Sequence, residues 1–359
     1  MASVEAAIQQ NVARGVLAGS VTRDRRASWW RRTGSKSRGF RYETADGRRV
    51  EDEAALERVR SLAVPPAWRE VRISPSPRSS LQAIGLDKMG RVQRIYHPSF
   101  TAKRARRKYE KIERFGEALL ALRRKTNEDI AREDLGKERV LAVVVRLIND
   151  LYFRVGSEES VKRYRTYGVT TLRNRHIEIK SRGRLEFKFV GKHHIKHRRI
   201  LVDEELASLM RDIKSIGGSK LFEYYAEDGR VRAVTPRDVN DYIKAATSPE
   251  FSAKDFRTWG GTLLAATELA EIGCCEDERQ AKKNVVAAVR RVAEHLGNTP
   301  TVCRSCYIHP KVLEAYMRGK SIEEFRPRRA RRISRESPDY TVEEVALLKL
   351  LRAWKNGGA

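Results

Sequence analysis

Apolar residues recur at helical spacing near the C-terminal end of the chain. One face of Ala281–Leu296 is apolar through Val285, Val289, Val292 and Leu296, which predicts an amphipathic helix. Gly297 follows where a left-handed residue commonly ends a helix. Asn298 or Thr299 can cap a short second helix, and Tyr307 lies near the end of that helix.

Other segments show the same periodicity or are continuously apolar. They predict helices over Glu51–Leu62, Lys103–Lys125, Glu138–Phe153, Asp203–Ile213, Pro236–Ala246 and Tyr340–Trp354. Glu138–Phe153 is mostly apolar and is predicted to be largely buried. Arg154 follows that helix directly, and Arg257 lies near the start of another helix in SAKDFRTWGG.

Shorter segments alternate between apolar and polar residues and predict strands. In the N-terminal part they are a hairpin around Ala45-Asp46-Gly47, then Glu70–Ser74, Ser80–Gly85 and Arg91–His97. Later they are Tyr167–Leu172, His176–Lys180 and Arg184–Val190, followed by a turn, GKHHIKHRR, with Lys192 at its tip. We therefore predict an α+β fold: a small β-rich N-terminal domain and a larger, mostly helical domain with a three-stranded antiparallel sheet.

The same patterns divide the chain. Residues 1–36 are polar and basic, with Trp29 and Trp30 among arginines, and are interpreted as a flexible arm or a partly docked segment. Residues 37–98 form the β-rich domain and residues 99–320 the helical domain. Residues 321–359 form a basic linker and a C-terminal amphipathic helix.

The net charge of the chain indicates what class of partner it binds. The 359 residues include 74 Lys and Arg against 47 Asp and Glu, a net charge of +27 spread over the whole chain. This excess favours a protein that binds a polyanion such as nucleic acid. No apolar run is long enough for a membrane span, and the N-terminus lacks a signal-peptide pattern.

Cysteine and histidine spacing does not favour a metal site. Four cysteines do not make a disulfide framework in a chain of this size, so a reducing, cytoplasmic environment is expected. Cys303 and Cys306 have only the adjacent Cys274 and Cys275 as partners, which is poor zinc spacing. His193 and His197 are four residues apart, but in a predicted turn. Neither a Walker A loop nor an acidic cluster is visible, so we expect no cofactor and no metal.

Tyr307 is the candidate nucleophile. A tyrosine hydroxyl has a pKa of about 10 and attacks poorly, but it becomes effective where cations surround a phosphodiester and stabilise the developing charge. The alternative is an ordinary half-buried helix tyrosine. Arg154 has a similar alternative, because a salt bridge would equally explain an arginine at the end of a buried helix.

Four segments, in order, carry a resemblance to a known family: FRVGSE, FKFVGK, KDFRTWG and GNTPTVCRSCYIHP. Together they resemble the type IB DNA topoisomerases, specifically the compact poxvirus and bacterial enzymes, from about Glu70 to Tyr316. The resemblance implies a β-rich domain and a helical catalytic domain that clamp duplex DNA as a C-shaped monomer. It also implies a 3′-phosphotyrosyl bond, a free 5′-hydroxyl, rotation of the duplex and resealing.

The resemblance assigns a role to individual residues. Tyr307 matches the nucleophile, Arg154 and Arg257 match the arginines that hold the non-bridging phosphate oxygens, and Lys192 matches the general acid. Lys188 is the competing lysine, although strand alternation turns it outward.

One position departs from the poxvirus pattern. Asn298 stands nine residues before Tyr307, where poxvirus enzymes have histidine; it can donate one neutral hydrogen bond but no charge. His295, three residues earlier, is less suited to replace that histidine.

A further match concerns DNA binding by the N-terminal domain. The segment GRVQRIYH resembles the family's major-groove segment, with Arg91, Gln93 and Tyr96 as DNA-binding candidates. Gln93 and Tyr96 match base-contacting positions, and a glutamine amide can bond an adenine edge.

Two other functions compete with this interpretation. A tyrosine recombinase shares the nucleophile and catalytic fold, but usually has HxxR where this chain has Lys254-Asp-Phe-Arg257, and its N-terminal domain is helical. A non-catalytic DNA-binding protein would explain the charge but not the ordered set of Arg, Lys, Arg, Asn and Tyr.

Overall fold

The computed structural model describes residues 28–327 and 339–353. Its contacts divide the chain into two compact units, Met1–Lys108 and Tyr109–Ala359. Most of the predicted N-terminal arm and basic linker lie outside the described residues. The α+β class is confirmed: a β-rich first unit precedes a larger helical unit that carries a three-stranded antiparallel sheet.

A five-stranded antiparallel sheet forms the first unit. Its order is β2-β1-β3-β4-β5, with β1 Trp30–Ser35, β2 Gly39–Glu43, β3 Arg69–Ile73, β4 Leu81–Leu86 and β5 Val92–Tyr96. Helix α1, Glu53–Ser61, is capped by the Asp52 carboxylate, which accepts a hydrogen bond from Ala55 N. Val59 of this helix packs on Val71 and Ile73 of β3.

Strand β1 decides between the two interpretations of Trp29 and Trp30, because both residues are docked on the sheet and do not belong to a flexible arm. Trp29 packs with Ile84 and Leu86 on one face of the sheet, whereas Trp30 packs on the opposite face. Successive side chains of a strand point to opposite faces, so two adjacent tryptophans can each cover one face. The surrounding arginines hid this pattern in the sequence.

The first hairpin also differs from the prediction. Strands β1 and β2 form it, with the connection at residues 36–38. The turn at Ala45-Asp46-Gly47 exists, because Gly47 N donates to Thr44 O. However, only one bridge, Glu43 to Arg49, follows that turn. The chain then leaves the sheet to begin α1.

The second unit is mostly helical. Its helices are α2 Pro98–Ile130, which crosses the sequence boundary between the units, α3 Lys137–Leu151, α4 Glu158–Tyr164, α5 Glu204–Ser215, α6 Pro236–Ala246, α7 Ala253–Ile272, α8 Glu278–Leu296, α9 Pro300–Cys306, α10 Pro310–Met317 and α11 Val342–Ala353. Trp354, predicted in the last helix, lies outside the described residues. Nearly every residue of α3 from Val140 to Ile148 is buried, as its apolar sequence predicted.

The three-stranded sheet has a different membership from the predicted one. Its strands are β6 Ile177–Ile179, β7 Arg184–Val190 and β8 Lys196–Val202, in the order β6-β7-β8. The predicted strand Tyr167–Leu172 is instead an irregular segment. Its amides bond the chain after α3, with Val169 N donating to Arg154 O and Thr170 N to Val155 O.

Strand β8 lies in the segment predicted as a turn. Its inward positions are His197, Arg199 and Leu201, and two of these are polar, so the alternation that marks a half-buried strand was masked. A small hairpin, β9 Glu223–Tyr225 and β10 Val231–Ala233, was not predicted either.

All four cysteines are free thiols. In the described parts of the chain, no helix combines the length and apolarity that crossing a membrane requires.

Candidate active site

The C-terminal end of helix α8 is the point where the candidate residues meet. Three successive carbonyls there each accept a hydrogen bond from a different arginine. Arg199 donates to His295 O, Arg257 to Leu296 O at 2.7 Å, and Arg154 to Gly297 O at 3.3 Å. The last carbonyls of a helix have no partner within it and carry partial negative charge, so cations are stabilised there.

Arg154 and Asn298 are joined directly. Arg154 Nη2 donates to Asn298 Oδ1 at 2.5 Å. Asn298 follows Gly297, whose φ of 61° ends α8 in the left-handed conformation that the sequence predicted. Asn298 N then donates to Ala293 O at 2.9 Å, which fixes the turn that presents its side chain.

Arg257 is the most deeply buried of the candidates, with 4% of its surface exposed. It lies in the first turns of α7, as predicted. Its guanidinium donates to Tyr152 O, just before Arg154, as well as to the end of α8. Its Cζ lies 5.2 Å from the centre of the Tyr307 ring.

Tyr307 is half-buried at the end of α9. Thr299 caps this helix by accepting from Val302 N, and Pro300 occupies its first turn. Tyr307 N donates to Cys303 O at 2.8 Å, and Thr262 of α7 donates to Tyr307 O at 3.3 Å. The tyrosine backbone is therefore held against the helix that carries Arg257.

Lys192 lies in the connection between β7 and β8 and is exposed. It lines a small cleft together with Arg154, Arg257, His197 and Arg199. No described residue forms an ion pair with it.

The competing Lys188 is occupied elsewhere. Its Nζ lies 2.9 Å from a carboxylate oxygen of Glu178 and 3.5 Å from one of Glu186, on the outer face of the sheet. Lys192, and not Lys188, therefore belongs to the cleft.

Burial shifts the titration of several groups here. Burial, and then the charge of Arg154, lower the pKa of Arg257 to about 10. Burial also lowers the pKa of Arg154, against the opposing effect of Tyr307. Both guanidinium groups stay charged at neutral pH. Burial raises the pKa of the Cys303 thiol to about 11, so this neighbour of Asn298 stays uncharged.

Two buried donors of this cluster lack a hydrogen-bond partner among the described residues. They are Arg257 Nε and Asn298 Nδ2. Buried donors without partners are rare and call for an explanation. Two of them beside charged guanidinium groups form an environment suited to an anion.

The DNA-binding candidates lie in the first unit, on the edge strand β5 and just before it. Arg91 Nε and Gln93 Nε2 both donate to the Asp87 carboxylate, at 2.7 and 2.9 Å. Tyr96 stacks on Phe100 with the ring centres 5.4 Å apart. Arg91 and Gln93 thus share one carboxylate partner.

Comparison with known families decides the identity of the chain. Residues 97–332, well over half of the chain, match the family model for the catalytic core of eukaryotic DNA topoisomerase I. Residues 39–87 match the model for the N-terminal domain of bacterial DNA topoisomerase IB. The chain belongs to the type IB DNA topoisomerases. DNA is accordingly its substrate, and the recombinase alternative is not supported by either match.

Relatives of this topoisomerase include viral and fungal proteins. DNA topoisomerase 1B of Acanthamoeba polyphaga mimivirus is 29% identical over 268 residues, which cover 73% of this chain and 80% of that protein. DNA topoisomerase 1B of Vaccinia virus (strain Copenhagen) is 23% identical over 64% of this chain and 71% of that protein. DNA topoisomerase 1 of Mycosarcoma maydis is 25% identical over 46% of this chain but only 18% of that protein.

Two residues of the topoisomerase site were not predicted as part of it. His197 and Arg199 reach the cleft from the inward face of β8. The basic run HHIKHRR was visible, but only knowledge of the strand could have shown which of its members face inward. The described residues contain no group of three or more His, Cys, Asp or Glu side chains placed to hold a metal ion.

Proposed function

We propose that Tyr307 is the nucleophile that breaks one DNA strand. Its hydroxyl loses its proton to solvent as the oxygen attacks the phosphorus, forms a 3′-phosphotyrosyl bond and displaces the 5′-oxygen, which leaves as a hydroxyl. After the duplex has rotated, that hydroxyl attacks the same phosphorus and frees Tyr307. The observation that carries the proposal is the packing of the Tyr307 ring against the buried Arg257 guanidinium, 5.2 Å away.

Arg154, Arg257 and Asn298 would bind the non-bridging phosphate oxygens. The two buried donors without partners, Arg257 Nε and Asn298 Nδ2, support this role. A guanidinium offers five N–H groups in a fixed plane, so Arg257 can bond two carbonyls and a phosphate oxygen together. Hydrogen bonds already in place before reaction stabilise the developing charge without further reorganisation.

Lys192 would be the general acid. An alkoxide is a poor leaving group, so the 5′-oxygen needs a proton as the P–O bond breaks. Lys192 Nζ would supply this proton and recover it during resealing. Its position in the cleft and the ion pairs of Lys188 favour this choice.

We further propose that the reaction needs neither ATP nor a metal ion. The positive charge that a metal would provide can come from Arg154, Arg257 and Lys192. Relaxation of supercoiled plasmid in EDTA without ATP checks this point.

The first unit would contribute to DNA binding through Arg91, Gln93 and Tyr96. The β-rich unit and the helical unit would then enclose duplex DNA as a monomeric C-shaped clamp. Support comes from the net charge of +27. Arg91 would need to leave Asp87 to reach a phosphate, which a surface ion pair allows at low cost.

The test of the proposed nucleophile is Tyr307→Phe. This variant lacks only the hydroxyl, so DNA binding should be close to that of the unaltered protein while relaxation is lost. Covalent protein–DNA adducts are trapped by denaturing the reaction with detergent. Adduct formed by Tyr307→Phe at the normal level would assign the nucleophile to another residue.

A further inference from the structure

The His197 imidazole fills a gap between two glycines of the active site. Gly191 immediately precedes Lys192, and Gly297 immediately precedes Asn298. A Cβ atom added to Gly191 would lie 2.5 Å from His197 Nε2, and one added to Gly297 would lie 2.5 Å from His197 Cε1. Such distances are far below van der Waals contact, so the ring lies directly against both backbones.

Other contacts fix the ring in this gap. His197 stacks on Phe189 of β7, with ring centres 5.0 Å apart and planes inclined by 28°. Gly191 N donates to Ile195 O at 2.8 Å and closes the connection that carries Lys192. The ring is therefore anchored to the sheet while touching the turn at the end of α8.

The His197 side chain acts on its neighbours through its shape and not through charge. No hydrogen bond joins its ring to a described residue. Burial lowers the pKa of His197 to about 4, and the cations Arg199, Arg154 and Arg257 add to that effect. The ring is therefore neutral at physiological pH and adds no fourth charge to the arginines.

We propose that His197 is a positioning residue that sets the distance between Lys192 and Asn298. The inference rests on the proposed function, in which Asn298 holds a phosphate oxygen and Lys192 protonates the 5′-oxygen of the same phosphate. Without the ring, the Gly191–Lys192 backbone loses its contact with the Gly297–Asn298 turn. Displacements of about 1 Å at a reacting group can cost about a hundredfold in rate.

The test is His197→Ala on two substrates, measured as single-turnover cleavage. One is ordinary duplex DNA; the other has sulfur at the 5′-bridging position of the cleaved phosphodiester. A thiolate leaves without a proton, so the second substrate does not need the acid. We expect His197→Ala to lose on the order of tenfold to a hundredfold on ordinary DNA and much less on the sulfur substrate.

The ratio of the two rates is the decisive quantity, because the fraction of folded enzyme cancels from it. The ratio is the cleavage rate on the sulfur substrate divided by the rate on ordinary DNA. A ratio about tenfold or more above that of the unaltered protein supports the proposal. A ratio equal to that of the unaltered protein overturns it, whatever the absolute rates. His194→Asn, an exposed change in the same connection, is the matched control and should leave both rates unchanged.

Cleavage of the same two substrates by Lys192→Ala distinguishes the acid assignment of Lys192 from the positioning role of His197. If sulfur accelerates Lys192→Ala but the ratio of His197→Ala is normal, the positioning role fails and the acid assignment stands. If Lys192→Ala is equally slow on both substrates, the acid assignment fails and the positioning role fails with it.

Discussion

The two ends of the Asn298 side-chain amide have different surroundings, and a testable prediction follows from this difference. Its Oδ1 accepts from Arg154 at 2.5 Å, and its Nδ2 is buried without a hydrogen-bond partner among the described residues. Because a guanidinium only donates, the bond to Arg154 fixes which end of the amide is oxygen. The Nδ2 group is therefore the end available to a phosphate oxygen, and Asn298 should act through one neutral donor.

The magnitude follows from that single donor. Removing one donor to a developing oxyanion costs about 3–4 kcal/mol at well-formed sites, about a hundredfold to a thousandfold in rate. Asn298→Ala also removes the acceptor for Arg154, although the bond of Arg154 to Gly297 O remains. We expect Asn298→Ala to slow cleavage on the order of tenfold to a thousandfold. Asn298→His, which keeps a donor, should retain activity.

Asn298→Asp is the matched variant, because it is nearly isosteric. It keeps an acceptor for Arg154 but replaces the donor with an anionic oxygen facing the phosphate. It should therefore cleave more slowly than Asn298→Ala, although it perturbs Arg154 less. The assay is single-turnover formation of the covalent adduct, with enzyme in excess over a duplex whose cleaved end dissociates. Asn298→Ala at the normal rate, or Asn298→Asp faster than Asn298→Ala, would refute the argument.

Three further expectations follow. Arg257→Lys should lose about tenfold or more in cleavage with little change in DNA binding, since an ammonium cannot replace a planar fork that bonds two carbonyls; normal cleavage would contradict this. His176 accepts from Arg173 N, and burial lowers its pKa from 6.5 to about 4. On acidification the unfolded chain therefore binds the His176 proton before the folded chain does, and the free energy of unfolding should fall between pH 6.5 and 4 by up to about 3 kcal/mol, an upper bound that solvent screening reduces. His176→Asn keeps an acceptor but does not titrate, so its free energy of unfolding, measured by chemical denaturation, should depend less on pH in that range. An unchanged pH dependence would contradict this. The slope of log affinity for DNA against log salt should be steep, at about −0.9 per neutralised phosphate, and a nearly flat slope would exclude a phosphate-binding role for the charge.

The helices and the turn before Tyr307 could be predicted because their signals are local. Gly297 ends α8 with φ of 61°, as predicted, and Thr299, one of the two predicted caps, begins α9. Asp203 likewise caps the helix that it was predicted to begin, and Thr235 caps the helix that was predicted from Pro236. Such signals depend on a few neighbouring residues and on the geometry of a single helix end.

Features that depend on distant pairing could not be predicted in the same way. His197 and Arg199 join the site because β8 pairs with β7 so that Phe189 opposes His197 and Phe187 opposes Arg199. A shift of one residue would turn both outward, and the sequence does not specify this register. Similarly, Tyr167–Leu172 has the composition of a strand, but its amides donate to carbonyls of the segment around Arg154, which is not itself a strand.

The clustering of three arginines requires an explanation, because like charges in a partly buried site repel one another. The end of α8 provides it: the carbonyls of His295, Leu296 and Gly297 each accept from one guanidinium. The partial negative charge of a helix end offsets part of the repulsion, but not a full unit of charge. A phosphodiester would neutralise the residual positive charge. The transition state would neutralise more of it, because it bears more negative charge on its oxygens. The helix end thus orients the arginines before DNA binds, so that little reorganisation would be needed for the proposed attack by Tyr307.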